Sequence, residues 1–141
     1  MGQDKDCIFC KIIKDEVPSL KVYEDKNILA FLDIAPANAG HTLVITKEHF
    51  DAFADLPNEA IIDLMIKIKN FAPKIAKAVG AEAFNIGINN GKTAGQIISH
   101  AHIHIIPRFE KDGLKHWPGR KYEEKVMNAL AEKIRKEMEK Y

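Results

Sequence analysis

Residues 100–108 read His100-Ala101-His102-Ile103-His104-Ile105-Ile106-Pro107-Arg108. Imidazole and apolar side chains alternate with period two, the pattern of a β-strand, whose successive side chains point to opposite faces. The alternation sets Ala101, Ile103 and Ile105 toward a core and lines up His100, His102 and His104 on the other face. It predicts three imidazoles in a row on the exposed side of a buried strand. A single histidine on an apolar strand is ordinary packing, whereas three at period two call for chemistry. Two kinds fit: metal binding, since neutral imidazole is a good zinc ligand, and nucleophilic catalysis, in which one ring nitrogen attacks phosphorus while its neighbours handle protons. His41, after Gly40 at the start of another strand, and His49 can supply further members of either constellation.

Outward from this stretch, Ala83–Asn89 reads as a second strand, joined to Ala101–Pro107 by the glycine-containing loop Asn90–Gly95. Thr42–Thr46 is β-branched and apolar, a third strand. Lys21–Asp25 and Ile28–Asp33 flank Asp25-Lys26-Asn27 as a hairpin. Ile8, Phe9, Ile12 and Ile13 have helical spacing within residues 7–14, and Pro18 ends that segment. Ile61, Ile62, Leu64, Met65, Ile68, Phe71, Ile75 and Val79 trace the apolar face of a long helix. It opens near Asp55-Leu56-Pro57, is kinked at Pro73 and closes at Gly80. From Lys121 onward, Val126, Leu130, Ile134 and Met138 among dense charges form an amphipathic helix. Strands joined by hairpins, with grouped rather than alternating helices, indicate an α+β fold with a mainly antiparallel sheet.

At 141 residues the chain is about one domain, and its 46% apolar and 29% charged residues are ordinary for a globular protein. Twenty-one basic residues against twenty acidic ones provide no global field for a nucleic-acid polymer. No apolar run approaches the roughly 20 residues that span a bilayer, and the opening Met1-Gly2-Gln3-Asp4-Lys5-Asp6 has no signal-peptide character. These features point to a soluble, cytoplasmic protein. The two cysteines stand as Cys7-Ile8-Phe9-Cys10, which is compatible with metal binding, redox chemistry or ordinary thiols.

Four segments in order then carry a resemblance: Cys7-Ile8-Phe9-Cys10-Lys11-Ile12-Ile13, Phe31-Leu32-Asp33-Ile34-Ala35-Pro36, Gly40-His41-Thr42-Leu43-Val44-Ile45, and His100-Ala101-His102-Ile103-His104-Ile105-Ile106. Together they resemble the histidine triad (HIT) family, and within it the HINT-type nucleotide hydrolases. The resemblance implies a five-stranded, mainly antiparallel sheet with one long helix, a short N-terminal helix and a C-terminal helix. Residues 1–109 would form the HIT domain, and 110–141 an extension packed on it. It implies a homodimer that binds purine nucleotides and attacks their α-phosphate. His102 would be the nucleophile, supported by His104, His100 and His41. Asp33 would accept from the ribose, and Asn89, Gly95 and Gln96 would contact phosphate. Ile8, Phe9, Ile12, Phe31 and Ile34 would form the purine pocket.

Two features depart from the pattern: Ile97 stands where HINT-type members often carry a hydroxyl residue, and the tail beyond Phe109 is longer than in the compact members, so that Lys115-His116-Trp117-Pro118-Gly119, which resembles their terminal His-Trp-Pro element, lies at a different distance from the triad. Some relatives hold structural zinc through residues equivalent to Cys7, Cys10, His49 and His100. The implied reaction is hydrolysis of nucleoside phosphoramidates or related compounds through a nucleotidyl-histidine. Dinucleoside polyphosphate hydrolysis, nucleotidyl transfer and a non-catalytic nucleotide-binding regulator are the alternatives.

Overall fold

The structure is a computed structural model and describes residues 2–140; Met1 and Tyr141, the outer ends of the segments 1–109 and 110–141, lie outside the described residues. The alternating stretch forms strand β5 (His102–Arg108). It joins β1 (Lys21–Glu24), β2 (Ile28–Leu32), β3 (Thr42–Thr46) and β4 (Ala83–Ile88) in a single sheet of order β1-β2-β3-β5-β4. Every neighbouring pair is antiparallel. β2 and β3 are nearly continuous apolar runs, and both are buried on both faces.

Helix α2 (Asn58–Val79) covers one face of the sheet. Its buried positions, Leu64, Ile68, Ala72 and Ala76, recur every four residues and so share one stripe. Leu64, Ile68 and Ala72 pack with Ile28, Ala30, Val44, Ile103 and Ile105 in the larger core. Gly80 ends the helix at φ +73°, a left-handed cap natural to glycine, with its N–H on the carbonyls of Ala76 and Lys77. Pro73 lies inside α2 without ending it. The missing donor removes one bond from the ladder, while burial of Ala72 and Ala76 on either side holds both halves to the sheet.

Helix α1 (Ile8–Ile13) covers the other face, where Phe9, Cys10 and Ile12 pack with Leu29, Phe31, Leu43 and Ile45. This corrects one expectation from the sequence. The histidine face of β5 is not exposed: His100 is fully buried and His102 is 9% exposed, because α1 roofs that side of the sheet. Helix α3 (Glu124–Met138) is amphipathic as expected, and among the described residues it contributes none to the core. Val126, Leu130, Ile134 and Met138 are all exposed in the single chain. Among the described residues, no helix is long and apolar enough to cross a membrane.

Candidate active site and metal centre

In β5, His102 pairs with Ile45 and His104 with Leu43 of β3, which places both imidazoles on the α1 side of the sheet. The Nδ1 atom of His102 lies 2.6 Å from the carbonyl oxygen of His100. A carbonyl only accepts, so Nδ1 carries the proton and Nε2 is left with a lone pair. The Phe9 ring meets His102 edge-on at 5.2 Å and so holds the plane of the imidazole.

His41 and Asp33 come together because the end of β2 and the start of β3 are hydrogen-bonded, Asp33 N–H donating to the His41 carbonyl at 2.9 Å. The backbone N–H of Ala37 donates to His41 Nδ1 at 3.0 Å, so a neutral His41 carries its proton on Nε2. That Nε2 lies 2.9 Å from His104 Nδ1, which therefore accepts and leaves the His104 proton on Nε2. Burial lowers the imidazolium pKa of His41, with Asp33 opposing in part. Burial likewise pushes His104 down to about 4, and the neighbouring His102 and His41 add to the effect. Both rings are neutral near pH 7.

Asp33, His41 and His104 offer three ligand atoms within 4.8 Å of one another. Ala37 occupies the lone pair of His41 and keeps the proton on Nε2, the atom a metal would need. His41 and His104 form a hydrogen-bonded pair, with Asp33 Oδ2 3.6 Å from His41 Nε2.

Cys7, Cys10, His49 and His100 are different. Cys7 Sγ is 3.4 Å from His100 Nδ1, Cys10 Sγ is 3.4 Å from His49 Nδ1 and 3.6 Å from His100 Nδ1, and the two Nδ1 atoms are 3.1 Å apart. A tetrahedral zinc with ordinary bond lengths sets S···N at about 3.5 Å and N···N at about 3.3 Å. His100 Nε2 donates to the Thr46 carbonyl and His49 Nε2 to the Asp51 carboxylate, each at 2.8 Å. Both Nδ1 lone pairs thus point at each other across a buried space, an arrangement that wants a cation between them. The Nε2 partners are the outer contacts that orient metal-binding histidines. Burial pushes His100 down to about 4, keeping it neutral, and raises the Cys10 thiol to about 11, so a bound cation would replace thiol protons. The buried Cys2His2 set can hold a metal ion.

Comparison with known proteins adds a further observation. Residues 14–111 match the profile described as the HIT domain. The chain belongs to the HIT family. A HIT-like protein of Methanocaldococcus jannaschii is 48% identical over 76% of this chain and 82% of its own length. The adenosine 5′-monophosphoramidase hnt1 of Schizosaccharomyces pombe is 43% identical over 91% of this chain and 95% of its own. A Streptococcus mutans crystal structure superimposes with a TM-score of 0.91 at 42% identity, over 98% of this chain and 88% of that one.

The remaining HIT-motif residues divide by environment. Phe9, Ile12 and Phe31 are buried in the α1-side core, where they pack the sheet, whereas Ile8 is partly bare and Ile34 is 96% exposed. Asn89 lies against Gly95, whose added Cβ would sit 3.6 Å from Asn89 Nδ2. Gln96 braces its own loop, accepting from Gly91 N–H and donating to the Asp51 and Ile98 carbonyls. Ile97 and Trp117 are 89% and 94% exposed. Sequence reasoning missed Thr46 and Asp51 behind the cysteine-histidine cluster, and Ala37 behind His41. Only Asp51 carried a signal, a carboxylate two residues after a candidate ligand.

Proposed function

We propose that this HIT protein hydrolyses purine nucleoside 5′-phosphoramidates, or closely related α-phosphate derivatives, through a nucleotidyl-His102 intermediate. One observation carries the reading: the His100 carbonyl holds the proton of His102 on Nδ1, so Nε2 presents a lone pair on a face shared with a second donor histidine. The Nε2 pair forms an N–P bond as the bond from phosphorus to the leaving group breaks. The leaving atom takes the Nε2 proton of His104 as His104 Nδ1 takes the Nε2 proton of His41, 2.9 Å away. The negative charge left on the His41–His104 pair is offset by His102, which becomes cationic with its ring centroid 5.1 Å from that of His104. Water then cleaves the N–P bond and returns a proton to His104. Asp33 accepts from the ribose, and Asn89, Gly95 and Gln96 form the phosphate side. Ile8 and Ile34, the exposed members of the apolar set, flank the base, and Phe9, Ile12 and Phe31 pack beneath them as the floor of the purine pocket. The monophosphoramidase name of the Schizosaccharomyces relative supports this substrate class.

Zinc on Cys7, Cys10, His49 and His100 belongs to the same reading. Four protein ligands would leave no open position for substrate, so the ion would be structural and would tie α1 to the strand that carries His102. The protein works as a homodimer. β4 is an edge strand with Phe84 and Ile86 partly exposed, α3 buries none of its apolar stripe, and a two-fold partner covers such faces symmetrically.

The test is a side-by-side kcat/KM panel of adenosine phosphoramidates, dinucleoside polyphosphates, nucleotide sugars and adenylyl sulfate. The last is included because a relative named adenylylsulfatase, in Arabidopsis thaliana, is 46% identical over 77% of this chain and 55% of its own length. Phosphoramidates should lead the panel, and rapid acid-free quenching should trap nucleotide on His102. Binding without turnover of any of them would make the protein a nucleotide-binding regulator.

A further inference from the structure

The proton on His104 is placed by groups outside the histidine cluster. The backbone N–H of Ala37 can only donate, and that one contact dictates which nitrogen of His41 is protonated, and through it which nitrogen of His104. Yet Ala37 sits in a loop, residues 34–40, that is mostly exposed, and such loops hold geometry poorly unless anchored.

Two anchors seat it. Gly40 has φ +85°, and a Cβ there would lie 2.9 Å from Val79 Cγ1 and 3.1 Å from Pro107 Cγ, so the loop backbone is pressed onto the end of α2 and onto β5. Asn38 is the other anchor. Its Nδ2 donates to the Pro107 carbonyl at 3.0 Å and to Asp112 Oδ2 at 2.9 Å. Asp112 is itself immobilised, its side chain 7% exposed. It accepts from Arg108 Nε and Nη2 and from the backbone N–H groups of Phe109 and Leu114. The end of β5 thus grips the loop that orients a histidine partnering the same strand.

We propose that Asn38 is a positioning residue for leaving-group departure: by fixing the Ala37 N–H against His41 Nδ1, it keeps His104 as an Nε2–H donor. The proposal rests on the reading of His104 as the group that protonates the leaving atom. It has a consequence that a merely structural role lacks. An alkylamine leaves phosphorus only with a proton, whereas 4-nitrophenolate leaves as the anion. Loosening Asn38 should therefore harm the first departure and spare the second.

The experiment uses the full, metal-loaded chain and the variant Asn38→Ala, with Asn38→Asp as an isosteric second that also lacks the donor hydrogens. For an adenosine alkylphosphoramidate, kcat should fall about ten- to a hundredfold with little change in KM, a fraction of what a whole general acid supplies. For the 4-nitrophenyl ester of AMP, kcat should change by less than about threefold, since no proton is needed. Long-range 1H–15N spectra of the histidine rings supply the readout that does not depend on turnover. In the native chain, His41 and His104 should both be protonated on Nε2; in the variants, His104 should move toward a tautomer average. Equal losses on both substrates, or unchanged ring spectra in a folded variant, would overturn the proposal. So would a native His104 protonated on Nδ1, a result that stands even if neither variant folds. Absence of turnover by the native chain would instead defeat the proposed function and leave the ring spectra to judge the tautomers.

Discussion

The three histidines at and just before the start of β5 differ in what faces their ring nitrogens. His100 turns Nε2 to the Thr46 carbonyl and Nδ1 to two thiols, His102 gives its Nδ1 proton to a carbonyl, and His104 accepts at Nδ1. Their substitutions should therefore separate. His102→Ala should remove turnover and keep nucleotide binding, because losing the nucleophile does not empty the pocket. His104→Gln should lower kcat by about 10²–10⁴. Single-turnover kinetics with parallel nucleotide titrations distinguish the two; more than a few per cent of native kcat in His102→Ala would point to direct attack by water. His104 also makes a pH prediction. Its folded pKa, about 4, lies below the unfolded value near 6.5. The unfolded chain then binds more protons between those values, so the stability this group contributes is present above about pH 6.5 and lost as pH falls toward 4. Urea midpoints at about pH 7 and about pH 5 should drop less in His104→Gln than in the native chain. An equal drop would place the acid sensitivity elsewhere. The row of histidines was plain in the alternation of residues 100–108, but their different protonation was not, since it depends on carbonyls and N–H groups in register with them.

At the scale of elements, α1 is only six residues long, too short to persist as a helix by itself. Phe9, Cys10 and Ile12 hold it on the sheet, and the proposed zinc would pin it through Cys7 and Cys10 to His49 beyond β3 and His100 before β5. Chelation, or Cys10→Ser, should destabilise the fold by at least about 2 kcal/mol, which at this length lowers Tm by roughly 6–8 °C in calorimetry. Because His100 also provides the carbonyl that orients His102, kcat should fall with the metal. A metal-free preparation with unchanged Tm would return both cysteines to ordinary thiols. The element boundaries were readable from pattern: the spans of β3 and α2 fall where β-branched content, apolar spacing and Gly80 put them. The cover over the histidine face was not, because a period of two names the two faces of a strand and does not say what lies on either.

For the whole molecule, the partly exposed edge of β4 and the exposed apolar stripe of α3 are the faces that the proposed dimer would cover. Light scattering well above micromolar concentration should find a dimer. Ile86→Lys, at a side chain already 41% exposed, should shift it toward monomer while changing the monomer's own stability by only about 0.5 kcal/mol. A native chain that stays monomeric would require α3 to be covered in some other way. The long-range layout follows from topology: β5 enters between β3 and β4, and this brings His100 to the Cys7–Cys10 turn and His104 to His41.

What the sequence determined by itself was local or repetitive: the strand period, the helix stripes, the Gly80 stop, and four ordered segments specific enough to indicate a family. These are properties of neighbouring residues, and backbone geometry alone turns them into structure. Only the tertiary structure decided that His49 and His100 face each other with lone pairs, that Asp51 and Thr46 stand behind them, and that the Ala37 N–H donates to His41 Nδ1 and so fixes the tautomer of His41. The grip of Asn38 on Asp112 joins residues 74 apart in the chain. Such pairings arise when sheet order and helix cover bring distant backbone groups within hydrogen-bond reach, and no spacing along the chain encodes which donor meets which acceptor.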